Sequence, residues 1–215
     1  QTQLVLADGA AGVALLDVSG AKHDAPVELH RVEVPGTAAF VATAGAQVGA
    51  GAIAQVAVGA LGGGVHVLRV ADGKLQLQGS WPNWGMAYGL SIDGGHVLAG
   101  VGSHVLALDL PPAAQGNSAP LALRALQPSP FFALDADPFP GGPVPNAVIS
   151  AEFQGVRLLQ RRPEAKLRRA LVVEPRIYAP LTAVGQPIVG QLVLRNVGAT
   201  PLKVSSVRFY EAADS

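Results

Sequence analysis

GVALLDV, residues 12–18, is a short apolar strand entered through a glycine, and the chain writes it three more times, as GVHVLRV at 64–70, SHVLALD at 103–109 and GVRLLQR at 155–161. The starting positions 12, 64, 103 and 155 lie 52, 39 and 52 residues apart. Recurrence at a few tens of residues marks one supersecondary unit copied along a chain, each copy unable to bury its apolar faces without a neighbour. These intervals bracket the length of a four-stranded blade. Within the repeats the apolar residues run nearly continuously instead of strictly alternating, which is how strands buried on both faces read.

Helical periodicity is almost absent, and the apolar segments are short, rich in valine and leucine, and bounded by glycine, proline, aspartate and asparagine. Strands are expected at 4–7, 13–18, 27–34, 38–43, 53–59, 65–70, 75–79, 89–92, 96–101, 104–110, 121–126, 131–135, 147–151, 156–160 and 167–173. The expected fold is all-β: a partial β-propeller of about four blade-like units over residues 1–173, followed by the start of a second domain at 174–215. A single irregular β-sandwich is the competing architecture.

Composition narrows the function classes. The 215 residues are 49% hydrophobic, ample for a core, and 26 glycines with 17 prolines imply many tight turns. Fifteen basic residues balance fifteen acidic ones, so no global field favours nucleic acid. No cysteine is present, which removes disulfides, thiolate zinc sites and cysteine nucleophiles, and no apolar run reaches the 18 residues of a membrane-spanning helix.

Residues 4–20, LVLADGAAGVALLDVSG, resemble the bacterial LVIVD-type propeller repeat, whereas IAQVAVGALGGGVHVLRV (53–70) and FFALDADPFPGGPVPNAVISAEFQGVRLL (131–159) resemble FG-GAP repeats, the blades of integrin-type propellers. Near residue 174 the text changes: VEPRIYAPLTAVGQPIVGQLVLRNVGATPLKVSSVRFYEA resembles the opening of an abnormal-spindle/hydin-type immunoglobulin-like domain, as in bacterial choice-of-anchor D proteins. There Ile188, Gly190, Leu192 and Leu194 fall on one face of a strand and Gln191, Val193 and Arg195 on the other. Such a sandwich takes about seven strands and roughly 100 residues, so both ends are expected to be cut from something longer.

Few residues point to chemistry. Asp135 and Asp137, alternate in ALDADP, stand where an FG-GAP repeat places a calcium loop; PFPGGPVPN follows where more oxygen ligands would be needed, and capping of a turn is the other reading. Otherwise no cofactor is implied. None of the five histidines has ligand spacing, although His96 and His104 flank a hairpin and could meet across it. Trp81, Trp84 and Tyr88 fall within eight residues, as a partner-binding anchor would, or as packing between blades. Between Arg157 and Arg176 seven basic residues, among them Arg161, Arg162, Arg168 and Arg169, stand against only Glu164 and Glu174, a local charge of +5 that suits an acidic partner, lipid headgroups or a solvated connector.

No catalytic motif stands out, so the chain is expected not to be an enzyme. The resemblances imply a bacterial, extracytoplasmic (periplasmic, surface or secreted) structural, adhesion or protein-interaction scaffold, with other protein chains completing the propeller or sandwich. A binding or catalytic module of an envelope hydrolase is the alternative, since propeller mouths can host catalytic residues.

Overall fold

The computed structural model describes residues 2–20, 25–43, 54–81, 87–93, 95–102, 104–112, 119–128, 133–138, 147–152, 155–160, 171–177, 190–196 and 200–206, and every regular element among them is a strand. The chain forms two compact units, Gln1–Ala165 and Lys166–Ser215.

The first unit is a series of four sheets. Sheet 1 holds β1 (Gln3–Ala7), β2 (Val13–Asp17) and β3 (Val27–Val32) in sequence order. Sheet 2 follows with β4 (Thr37–Thr43), β5 (Ala54–Leu61), β6 (Gly64–Ala71) and β7 (Lys74–Trp81), again in order. Sheet 3 contains β8 (Ala87–Asp93), β9 (His96–Val101) and β10 (His104–Asp109). The chain then crosses back to lay β11 (Ala119–Pro120) parallel to β7, and returns to sheet 3 as β12 (Leu123–Pro128). Sheet 4 consists of β13 (Ala133–Pro138), β14 (Ala147–Glu152) and β15 (Gly155–Gln160).

All other neighbours in these sheets are antiparallel, and the repeated sequence finds its meaning in the register. The four glycine- or serine-led segments are β2, β6, β10 and β15, each the second arm of a hairpin whose first arm is β1, β5, β9 or β14. At the next turn in sheet 2, Asp72 (φ 51°) and Gly73 (φ 70°) both take positive φ, the geometry of a two-residue type I′ turn, and Ala71 therefore pairs directly with Lys74.

Sheet 1 packs on sheet 2, sheet 2 on sheet 3 and sheet 3 on sheet 4. Val13 and Leu15 from sheet 1 join Val56, Val58, Leu68 and Val70 from sheet 2 in one buried cluster. Leu98, Val105 and Ala107 from sheet 3 meet Ala133, Ala136 and Val148 from sheet 4 in another. In sheet 2 the residues on the opposite side of the pleat, Ala57, Val65 and Val67, are also fully buried, and so are Val97, Ala99, Leu106 and Leu108 of sheet 3. A sheet covered on both faces has no wet side, which accounts for the continuous apolar runs. The first strands β4, β8 and β13 lie side by side, so each sheet meets the next along its opening strand.

One expected strand is displaced. Residues 121–126 were expected as one strand, but Leu121 instead anchors the crossing segment: its N–H donates to the Ser80 carbonyl (2.9 Å) and its side chain is 4% exposed. Gly79 makes room for it, since a Cβ there would lie 2.6 Å from Leu121 Cδ2. The strand of sheet 3 starts two residues later, at Leu123.

In the second unit β16 (Leu171–Ile177) pairs antiparallel with β17 (Gly190–Asn196), Val173 opposite Leu194 and Pro175 opposite Leu192. Position 173 thus falls inside β16. Asn196 Nδ2 donates to the Thr200 carbonyl at 2.9 Å.

Candidate interaction surfaces

Sheets 1 and 4, at the two ends of the series, each have a face that no other described sheet of the first unit covers. In sheet 1 the register sets Leu4 opposite Leu16 and Leu16 opposite Glu28, with Leu6, Ala14 and Arg31 in the next row. Directly opposed residues share a face, so this outer face is apolar along β1 and charged along β3. Leu4 is 49% and Leu6 44% exposed. On the charged side Arg31 binds Glu28 with both Nε (3.1 Å) and Nη2 (2.6 Å), and reaches Asp8 Oδ2 with Nη1 (2.6 Å). Hydrogen bonding to Arg31 holds the Glu28 carboxyl below its ordinary range. The cluster is exposed, so it orients the hairpin more than it stabilises it.

Sheet 4 repeats the arrangement. Val148 and Leu159 face the core shared with sheet 3, while Val156 (65% exposed) and Leu158 (47%) stand on the other face, with Ala151 opposite Val156. The counterparts of Leu158 in sheets 2 and 3, Val67 and Leu106, are fully buried.

The backbone of β1 has a definite open side. Asp8 N–H donates to the Gly12 carbonyl and Val18 N–H to the Thr2 carbonyl, so the even-numbered residues bond to β2. Alternation then directs the N–H and C=O groups of Gln3, Val5 and Ala7 away from β2. On that same side Gly9 exchanges two 3.0 Å hydrogen bonds with Ala38 at the start of β4.

The aromatic run is divided between sheets. Trp81 ends β7, opposite Val65, and is 7% exposed; Tyr88 opens β8 and packs against Phe40 of β4, ring centroids 6.4 Å apart at 57°. Trp84 and the four arginines 161, 162, 168 and 169 lie outside the described residues. Trp81 thus belongs to sheet 2 and Tyr88 to sheet 3.

Asp135 and Asp137 sit at alternate positions of β13. Asp135 Oδ1 accepts the Ala136 N–H at 2.9 Å, and burial, reinforced by Asp137, raises the Asp135 pKa. Ser91 Oγ donates to the Ala136 carbonyl at 2.6 Å, and Gly89 admits the Asp135 side chain where a Cβ would collide with it. Calcium takes six to eight oxygens. Among the described residues no group of three or more His, Cys, Asp or Glu gathers.

His66, His96 and His104 make contacts within the sheets. His96 and His104 begin the two antiparallel strands of one hairpin, so they fall at opposite ends: His96 pairs with Asp109, Nδ1 to Oδ1 3.0 Å, and His104 with Val101. His66, 1% exposed, lies 3.1 Å from the Pro35 carbonyl through Nε2 and 2.9 Å from Ser80 Oγ through Nδ1. A carbonyl only accepts, so Nε2 carries the proton and Nδ1 accepts from the serine hydroxyl. Burial lowers the His66 pKa, against the pull of the Pro35 and Gly63 carbonyls. Nothing in the local sequence marked this residue; a histidine within a valine-rich strand was the available signal.

No protein-family model matches the chain, and no curated protein matches it. Among solved structures it is similar to BBS1N, crystallised in complex with ARL6DN, at 20% identity and a TM-score of 0.52, over 74% of this chain and 47% of that one. That neighbour is a β-propeller domain. The first unit is a set of propeller blades. The chain spans about half the length of the structure it matches, and the similarity at this identity concerns the fold alone.

Proposed function

We propose that the chain is a noncatalytic β-propeller module that binds other protein chains through the open faces of its flanking sheets, as an extracytoplasmic structural or adhesion component of a bacterial assembly. One observation carries this reading: Leu4 and Leu6 on sheet 1, and Val156 and Leu158 on sheet 4, are exposed on faces that no other described sheet of the first unit covers. Covering a fully exposed Leu or Val is worth about 1.5–3 kcal/mol, and these four, half to two-thirds exposed, retain a good share of that. The BBS1N structure is itself a complex with another protein, which supports a binding role for the fold. The LVIVD-, FG-GAP- and hydin-type resemblances support the extracytoplasmic placement and the immunoglobulin-like reading of the second unit.

Light scattering on the eluting protein tests it. Without a partner the open faces should bind each other, giving a mass above the 21.9 kDa of one chain, and Leu6→Lys with Leu158→Lys should return the species to a monomer. A wild-type chain that elutes as a compact monomer and binds no apolar dye would contradict the reading.

A further inference from the structure

Aspartate stands directly before glycine three times in the chain, at 8–9, 72–73 and 93–94. Glycine in the second place leaves the backbone nitrogen unshielded by a side chain, so the aspartyl Cγ can close a five-membered imide on it. Closure needs Cβ eclipsed with that nitrogen, which for an L residue puts ψ at about −120°, the value at the first central position of a type II′ turn, where φ is positive.

The three sites stand at different distances from that geometry. The Asp8–Gly9 peptide is tied at both ends: the Asp8 carbonyl accepts the Ala11 N–H at 3.0 Å, and the Gly9 N–H donates to the Ala38 carbonyl at 3.0 Å. Its carboxylate is held as well, Oδ2 lying 2.6 Å from Arg31 Nη1. Asp93 ends β8 in extended pairing with His96, and Gly94 lies outside the described residues. Asp72 alone among the described non-glycine residues has a positive φ, 51°. It is exposed, and a Cβ on Gly73 would meet nothing within 4 Å. Among the described residues no hydrogen bond or ion pair holds its carboxylate. Residues 72 and 73 are the central pair of their hairpin turn, so the ladder ends at Ala71 and Lys74 and the peptide between 72 and 73 lies outside it. Flipping that one peptide, with φ of Asp72 kept positive, converts the type I′ turn to type II′, and both are two-residue hairpin turns. The reactive geometry is reached without breaking a bond between β6 and β7, whereas Asp8 must give up several.

We propose that Asp72–Gly73 is a self-modification site, at which the folded chain forms an imide and then isoaspartate with water as the only co-reactant. The Gly73 nitrogen attacks Cγ of the protonated Asp72 carboxyl. The N–Cγ bond forms, and the N–H proton leaves with the carboxyl hydroxyl as water. A second water opens the imide, either at Cγ to restore aspartate or at the Asp72 main-chain carbonyl, after which the chain runs through Cγ. The isoaspartyl chain then carries one extra backbone atom between Ala71 and Lys74. On either side of the turn Val70 and Leu75 belong to the core that joins sheets 1 and 2, and the Leu75 N–H donates to His30 Nδ1 at 3.3 Å. Slow isomerisation therefore acts on the seat of sheet 1, a chemistry separate from the partner-binding faces.

Ageing of the full native chain in mildly acidic buffer, followed by tryptic peptide mapping, tests the site. Cleavage after Arg69 and Lys74 releases VADGK, residues 70–74. Its isoaspartyl form has the same mass and elutes apart, accepts a methyl group from S-adenosylmethionine through an isoaspartyl methyltransferase, and is preceded by an imide lighter by one water. In the native chain isomerisation at Asp72 should run about tenfold or more faster than at Asp8, the rate equivalent of one retained hydrogen bond. In the urea-unfolded chain the two sites should react at equal rates, with Asp72 no faster than in the native chain. Asp72→Glu, whose longer side chain would have to close a six-membered ring, should remove methyl acceptance at this turn while leaving the slow reaction at Asp8. Equal native rates at the two sites, faster reaction at Asp8, or a VADGK peptide that stays a single species while the unfolded chain isomerises would overturn the proposal.

Discussion

Sheets 2 and 3 and sheets 1 and 4 are copies of one hairpin motif in different company. The central pair have four or more strands and are buried on both faces; the flanking pair have three described strands and one open face each. Val67 in sheet 2 is fully buried, while Leu158, also inside the glycine-led strand of its repeat, is 47% exposed. The strand text is alike, so the difference lies in the neighbour and not in the strand. On the proposed reading these exposed residues are the surfaces that a partner covers.

The largest expected contrast is at single core residues. Leu68→Ala, in the centre of the cluster joining sheets 1 and 2, should cost about 2–5 kcal/mol, whereas Leu6→Ala on the open face should cost less than about 1 kcal/mol. Chemical denaturation of the two variants side by side measures it, and equal losses would erase the distinction between centre and flank. Next, Gly100→Ala would set a Cβ 2.6 Å from the Ala133 carbonyl at the junction of sheets 3 and 4. Relief requires the backbones of two sheets to move apart, an overpacking cost of about 1–3 kcal/mol. A melting temperature unchanged from wild type would show the junction to be looser than described.

Acidification should act on the centre. His66 and His104 both have pKa values lowered by burial, so the unfolded chain binds their protons more readily than the folded one. Their contribution to stability is complete above the unfolded value of about 6.5 and is lost as pH falls toward the folded values. Melting followed between pH 7.5 and 5 should show a decline that His66→Gln reduces; a flat profile would place His66 in water. The smallest effect belongs to the flank: Arg31→Met removes an exposed cluster with Glu28 and Asp8 and should leave the melting temperature almost unchanged.

Much of this architecture was legible in the residues. The glycine-led strands mark the same arm of each hairpin, because the entry needs a turn residue and the arm needs continuous apolar text. What could not be read is which copies lack a neighbour, since a strand buried on both sides and one awaiting cover are spelled alike. Contacts set by register were equally hidden: His96 finds Asp109 across the β9–β10 hairpin. Leu121 looked like the start of a strand because it is apolar, yet its role is to fasten a crossing segment to sheet 2. Asp135 and Asp137 were visible as a pair, but only the fold reveals that burial and the Ala136 N–H occupy Asp135.

Residue-resolved hydrogen exchange of the dilute chain without any partner tests the central claim most directly. Amides of β5, β6, β9 and β10 should exchange only through global unfolding, while the open-side amides of Gln3, Val5 and Ala7 should exchange orders of magnitude faster than those of Leu4 and Leu6 beside them. Protection of Gln3, Val5 and Ala7 as strong as that of β6 would mean that the edge is already covered, and would contradict the account of a buried centre with open flanks.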